Sequence, residues 1–332
     1  MQTPFRKEIE KKFIEKDLSP NSIKLYIRNL EKLNSDEPLK NLNFLKSPEE
    51  IMKKLEKYKD NTKRGYLISI CSILSTDKGT KAKEKLYNDY FALLLDMNKY
   101  LKSEESKNEK SESQKKNWMP WDDVEKKRQE LEDKVKSFSE RSSFKTKELS
   151  ENQYNSLLDL VIVSLYTLLP PRRNEYRNLV LVKSSKGLND TENYLDLDAK
   201  KFILNKFKTS KKEGQKQIEI PQQLMDIISM YLKHHPSLKG SRMTKTTQVP
   251  FLVFKDGKPF DKVNSITRVL NKVFGKHIGS SQLRHIYLSD KHGDALQEMK
   301  EDASAMSHSL GMQKDYIKVD KPEDRTDKKD KK

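Results

Sequence analysis

The sequence predicts a mainly α protein with a small antiparallel β-sheet, divided between two folded bodies. Three observations predict it. Apolar residues recur at helical spacing through residues 15–100 and again beyond 150. The period shortens to alternation only in brief segments between 193 and 220. A polar stretch, "KSEESKNEKSESQ" at 102–114, has neither period and parts the two halves. At 332 residues each half is long enough to bury a core of its own. The reading assigns 1–101 to a helical domain, 102–144 to a charged linker, 145–318 to a second domain and 319–332 to a disordered charged tail.

In the first domain "LSPNSIKLYIRNLEKL" starts with Ser19 as a helix cap and Pro20 at the first helical position. Ile23, Tyr26, Ile27 and Leu30 then share a face. "SPEEIMKKLEKY" repeats the device with Ser47 and Pro48, and "NTKRGYLISICSIL" and "KLYNDYFALLLDMNKYL" complete a small bundle. Within the linker, "WDDVEKKRQELEDKVKSF" reads as a charged connector helix anchored by Trp118 and Trp121. The second domain opens on "LSENQYNSLLDLVIVSLYTLL", capped by Ser150. "NYLDLD", "KFILNKFKTS" and "QKQIEIP" alternate as strands, the last two joined by a tight hairpin turn at "KKEG". "QQLMDIISMYLKHH" is helical and "PFLVF" strand-like. The helices "NSITRVLNKVFGK", "SSQLRHIYLSDK" and "DASAMSHSLGMQKDYIK" close the fold.

Composition excludes several classes. No run of eighteen apolar residues could span a membrane, and "MQTPFRKEIEKKFIEK" lacks the apolar core of a secretory signal. A single cysteine, Cys71, cannot form an internal disulfide and fits a reducing compartment. The six histidines lack zinc-type spacing and cysteine partners, so no metal is expected. The net charge is +17, and its excess sits in residues 1–100 and 151–318, while 101–150 and 319–332 are nearly neutral. Two basic bodies suit a polyanion gripped from two sides. A lysine-rich, AT-biased genome explains the same excess.

The run "LLDLVIVSLYTLL" ends in two prolines and two arginines, an unusual load for an apolar helix. Arg172, Glu175 and Leu179 follow at i, i+3 and i+7, the spacing of one helical face. Lys208 closes a strand beside the hairpin turn, with Lys206 and Lys211 as rivals. Arg284 and His285 stand in "SSQLRHIYLS", with Ser281 three residues before the arginine. His308 and Tyr316 stand in "SHSLGMQKDYI". This order resembles the tyrosine recombinases, the phage-integrase family that includes integrases of viruses and mobile elements. "RRNEYRNL" is similar to the family's first box, Lys208-Thr209 to its hairpin lysine and "LRH" to its second box. The resemblance covers 145–318 with specific motifs and 15–100 more weakly.

The resemblance implies a helical core-binding domain of the SAM-like type followed by a tyrosine-recombinase catalytic domain. It implies site-specific recombination of double-stranded DNA through a 3′-phosphotyrosine on Tyr316, without cofactor, metal or ATP. Self-assembly as dimer or tetramer on DNA, inside the cell where DNA is, comes with it. Chemistry fits these residue types. Phenol attack on a phosphodiester builds charge on the non-bridging oxygens, and arginines donate paired, permanently charged hydrogen bonds to them. Each such donor, Arg172 and Arg284 with His308 as a third, would supply roughly 3 kcal/mol of transition-state stabilisation, by analogy with the loss of one oxyanion-hole donor. Lys208 would protonate the departing 5′-oxygen. Glu175 would orient an arginine, and Ser281 and His285 would support the site. Arg173, Arg177 and Lys211, with Lys24, Lys63 and Arg64 in the first domain, would hold the DNA backbone.

Two departures matter. The family usually has histidine or lysine where Ser281 stands, and a serine cannot take a proton near neutral pH. His308 precedes Tyr316 by eight residues, one fewer than is common. Two alternatives therefore stay open: a type IB topoisomerase-like relaxing enzyme, and a catalytically weakened DNA-binding protein of the same fold.

Overall fold

The computed structural model describes residues 3–76, 79–140, 148–238 and 243–318. They fall into two compact units that divide between Lys110 and Ser111. The charged tail 319–332 lies outside the described residues.

The first unit is a bundle of five helices: α1 Pro4–Glu15, α2 Pro20–Leu33, α3 Pro48–Leu55, α4 Asp60–Leu74 and α5 Lys81–Ser106. Thr3, Ser19 and Ser47 cap the first three, each followed by proline. A hydroxyl there satisfies a free N–H, and proline loses nothing at a position whose own N–H has no partner. Phe13, Ile27, Leu30, Leu67, Ile70 and Tyr90 fill the core. Cys71 is buried among them, and burial pushes its thiol up to about 11. The sequence reading ends this body at 101 and leaves 102–114 without structure. Instead α5 continues to Ser106, and α6, Glu112–Lys116, follows. Charged residues of high helix propensity extend a helix that apolar periodicity alone does not reveal.

The second unit contains α6, α7 Trp121–Ser139, α8 Glu151–Thr167, β1 Leu179–Val182, β2 Asn193–Asp196, β3 Lys201–Leu204, α9 Ser210–Glu213, β4 Lys216–Glu219, α10 Gln222–Leu232, β5 Gln248–Pro250, α11 Ser265–Phe274, α12 Ser280–Ala305 and α13 Leu310–Tyr316. Helix α8 is the centre of its core, buried on every side from Ser156 to Tyr166. Helix α7 packs along it and buries Trp121, Val124, Val135 and Phe138. It is thus a wall of this core rather than a linker, because those four side chains form one apolar stripe. Lys276 Nζ donates to the Trp118 carbonyl at 2.7 Å, and Trp121 meets Tyr287 edge-on at 5.1 Å.

The sheet order is β4-β3-β2-β1-β5. Its pairs are antiparallel except β1 with β2, which run parallel, so the sheet is mixed and not antiparallel as the alternation suggested. The chain makes that crossover through residues 183–192, and Asp196 secures it. Its carboxylate accepts from the Ser185 hydroxyl at 2.6 Å and the Ser185 N–H at 2.8 Å. "PFLVF" is a strand only at Pro250; the Phe251 N–H still donates to the Leu179 carbonyl of β1 at 2.8 Å, the chain then leaves the sheet, and Val253 makes an isolated bridge to Pro259. Buried hydroxyls hold it there: Tyr154 donates to the Val253 carbonyl at 3.0 Å and Tyr231 to the Phe251 carbonyl at 3.1 Å.

Candidate active site

The first box hangs from the end of α8. Tyr166, in the last turn, is fully buried, and its hydroxyl donates to the Arg173 carbonyl at 3.1 Å. Pro170 and Pro171 then prevent the helix from continuing. Residues 174–178 form a 3-10 turn, and Leu179 already belongs to β1. The helical face expected for Arg172, Glu175 and Leu179 therefore does not exist, since the prolines end α8 before it. The turn nonetheless brings Arg172 Nε within 3.2 Å of Glu175 Oε2, with the carboxylate side chain only 8% exposed. It also drops Tyr176 into the core, edge-on to Tyr166 at 5.6 Å and to Phe202 at 5.3 Å.

The β3–β4 connection approaches the same place. It is not a tight hairpin: residues 205–215 include α9, which Gly214 ends at a positive φ of 69°. Buried Asn193 fixes its start, accepting from the Asn205 and Lys206 N–H groups at 2.8 and 2.7 Å. Phe207 lies beneath the Arg172 guanidinium, 5.9 Å from ring centre to Cζ. Glu213 is held below the usual carboxylate range by Lys216, with the Thr209 hydroxyl and Arg172 contributing. Lys208 is exposed and lines a cleft of about 330 Å³ with Arg173, Glu175, Asn193 and Lys206. Lys206 pairs with Glu192 at 3.4 Å. Lys208 makes no hydrogen bond or ion pair among the described residues, which separates it from that rival.

The second box lies at the start of α12. Leu283 and Ile286 are buried and anchor its first two turns, while Arg284 is half-buried and His285 exposed. Arg284 Nη2 donates to Ser281 Oγ at 3.2 Å, and its Nε is buried without a partner. Burial raises the Tyr166 phenol well above its ordinary value; Tyr176 and Glu175 act in the same direction and Arg284 opposes them. Burial likewise raises the Tyr176 phenol, with Arg172 opposing. Tyr166 and Tyr176 pack edge-on at 5.6 Å, and Arg284 and Arg172 each lower one of these two phenols against its burial. The Tyr176 hydroxyl is buried without a partner among the described residues.

His308 and Tyr316 stand elsewhere. Helix α12 is 26 residues long, and at 1.5 Å per residue about 30 Å of it separates Arg284 from its last turn. α13 packs back on α12, but its seven residues recover only about 10 Å. His308 and Tyr316 keep each other's company, their rings 5.7 Å apart, and Tyr316 is 69% exposed. Among the described residues Tyr316 makes no hydrogen bond to Arg172, Lys208 or Arg284. Arg172 is thus held by Glu175 at the edge of the cleft that Lys208 lines, Arg284 stands at the start of α12, and His308 and Tyr316 stand together beyond its far end.

The expected DNA contacts divide similarly. Arg173 is exposed at the cleft, but Arg177 donates to the Asp261 carbonyl and is held within the protein, because the loop before α11 passes beside the 3-10 turn. Lys211 is exposed on α9. In the first unit Lys24 is exposed, Lys63 pairs with Asp60 at 2.9 Å, and Arg64 donates to Asn98. Sequence reasoning overlooked Tyr166, Phe207 and Glu213. Tyr166 reads as one more apolar residue of α8, and nothing local indicates that its hydroxyl holds the arginine turn.

Compared with protein-family models, with curated proteins and with solved structures, the chain matches none of them. Among the described residues no three His, Cys, Asp or Glu side chains gather as metal donors, and no helix is long and apolar enough to cross a membrane.

Proposed function

We propose that the protein is a tyrosine-type DNA strand transferase, a site-specific recombinase or integrase. The observation that carries this reading is Arg172, held by Glu175 over Phe207 next to the cleft that presents Lys208, together with Arg284 at the start of α12, whose Nε is buried without a partner. Such a site fits a phosphodiester. The two guanidiniums donate to its non-bridging oxygens, Glu175 orients Arg172, and the unpartnered Arg284 Nε is a donor in waiting. In the cutting step the Tyr316 phenol loses its proton to solvent and its oxygen bonds phosphorus. The P–O5′ bond breaks, and Lys208 supplies the proton that the 5′-oxygen takes. Rejoining reverses each transfer with a different 5′-hydroxyl. The basic excess in both units supplies non-specific affinity for the duplex.

The test uses a pool of nicked duplexes with a randomised core. The full chain is expected to form a protein–DNA adduct that survives denaturation and is lost in Tyr316→Phe. Relaxation of any supercoiled plasmid would favour a topoisomerase. The distance of Tyr316 from the arginines favours a second reading, a DNA-binding protein without strand transfer. Tight DNA binding with no adduct would establish that one instead.

A further inference from the structure

We propose that the cleft at the start of α11 binds a free mononucleotide, with its base on Phe254, its ribose hydroxyls on Asp261 and its phosphate between Lys262, Arg268 and the first turn of the helix. The proposal goes beyond strand transfer, in which none of these side chains takes part.

Shape comes first. The cleft holds about 440 Å³, within the roughly 300–1,000 Å³ of small-ligand sites, and Pro259 and Val269 give it an apolar wall. Phe254 is its platform. The buried Phe260 ring stacks on it at 4.4 Å, yet Phe254 stays 41% exposed. Its turn is fixed, since the Phe254 N–H donates to the Lys258 carbonyl at 2.9 Å and the Gly257 N–H to the Phe254 carbonyl at 2.8 Å. A ring held this way loses little freedom when a base stacks on it.

Charge then selects the ligand. Four cations and one carboxylate line the cleft. Two of the cations are already matched, Lys258 by Asp256 and Lys272 by Asp159, each at 2.6 Å. The Lys262 and Arg268 side chains make no ion pair or hydrogen bond among the described residues. Two such cations suit the dianion of a phosphate monoester. Ser265 marks its seat: it lines the cleft and is only 6% exposed, and its hydroxyl makes no hydrogen bond among the described residues. It opens α11, whose cap residue Asn264 makes no side-chain bond, so the leading N–H groups are open to an anion. The Asp261 carboxylate is also unpaired. It repels a bare polyanion and accepts from ribose hydroxyls, as acids in nucleotide sites do. A duplex, with its bases stacked inward, offers the platform nothing.

The same loop is fastened to the arginine turn, because Arg177 donates to the Asp261 carbonyl and Asn174 Nδ2 to the Val263 carbonyl at 3.2 Å. An occupied cleft should therefore steady residues 172–178.

Calorimetric titration of the full chain with AMP, adenosine and inorganic phosphate tests the site. AMP should bind at least about tenfold more tightly than either fragment, because it joins both halves. Phe254→Ala should abolish adenosine binding, and Lys262→Gln with Arg268→Gln should abolish phosphate binding, while an unchanged melting temperature shows that each variant is folded. Asp261→Asn should erase the preference for AMP over its 2′-deoxy form. Amide exchange over 172–178 should slow with AMP, and unchanged exchange overturns the link to the turn while leaving the site standing. No binding at millimolar AMP, or binding indifferent to these variants, overturns the inference. So does duplex affinity that falls in Lys262→Gln with Arg268→Gln while AMP fails to bind.

Discussion

Helices α8 and α12 both end beside a group of the candidate site, and they are built on opposite plans. α8 is wrapped by the core, with Leu160 to Tyr166 all buried, so the arginine turn that follows it has little freedom. α12 is anchored at its first two turns, by Leu283 and Ile286, and continues to Ala303 as an arm that buries no residue in between. One helix confers position and the other confers reach. The contrast suits the proposed strand transfer, in which phosphate-binding groups would be preorganised while the nucleophile would travel.

The largest expected effect tests that contrast directly. Ile162→Ala, in the packed helix, should lower stability by about 2–5 kcal/mol in urea denaturation, whereas Leu288→Ala on the arm should cost less than about 0.5 kcal/mol. Similar losses at both would mean that the arm is packed in solution.

Next comes the one carboxylate that α8 buries. Asp159 is raised by burial and brought back by Lys272 Nζ, 2.6 Å away. Lys272→Met leaves that charge without its cation and should cost about 1–3 kcal/mol at neutral pH. Its folded pKa stays above the unfolded value of about 3.9, so the folded state takes the proton first. The cost should therefore shrink as pH falls through the raised value.

Gly293→Ala should stiffen the arm. Removing a glycine from an exposed helix interior adds about 0.5–1 kcal/mol of helix stability, measurable as slower amide exchange over 288–302. The smallest effect is expected at Tyr176→Phe. The hydroxyl is buried without a partner among the described residues, so stability should change by less than about 0.5 kcal/mol in urea denaturation.

Much of the first unit was legible, because a serine followed by proline marks a helix start through contacts a few residues away. Ser19 and Ser47 did so. The same reasoning misread the arginine box, where i, i+3, i+7 spacing suggested a helix and two prolines forbade it. The β3–β4 hairpin was legible as a pair but not in its turn, since four polar residues can make either a tight turn or a helical one. α7 looked like a connector because its charged face dominates the composition, and only packing against α8 reveals the other face.

The order of residues alone determined the helix starts, the alternating strands and the chain order of Arg172, Lys208, Arg284, His308 and Tyr316, because capping and periodicity act over a few positions. Three matters were decided by the tertiary structure: the parallel partnership of β1 and β2, the packing of Tyr166 against Tyr176 that holds the arginine turn, and the placing of Tyr316 beyond the far end of α12. Each depends on which distant segments bury surface against one another, and a linear pattern does not encode that distance.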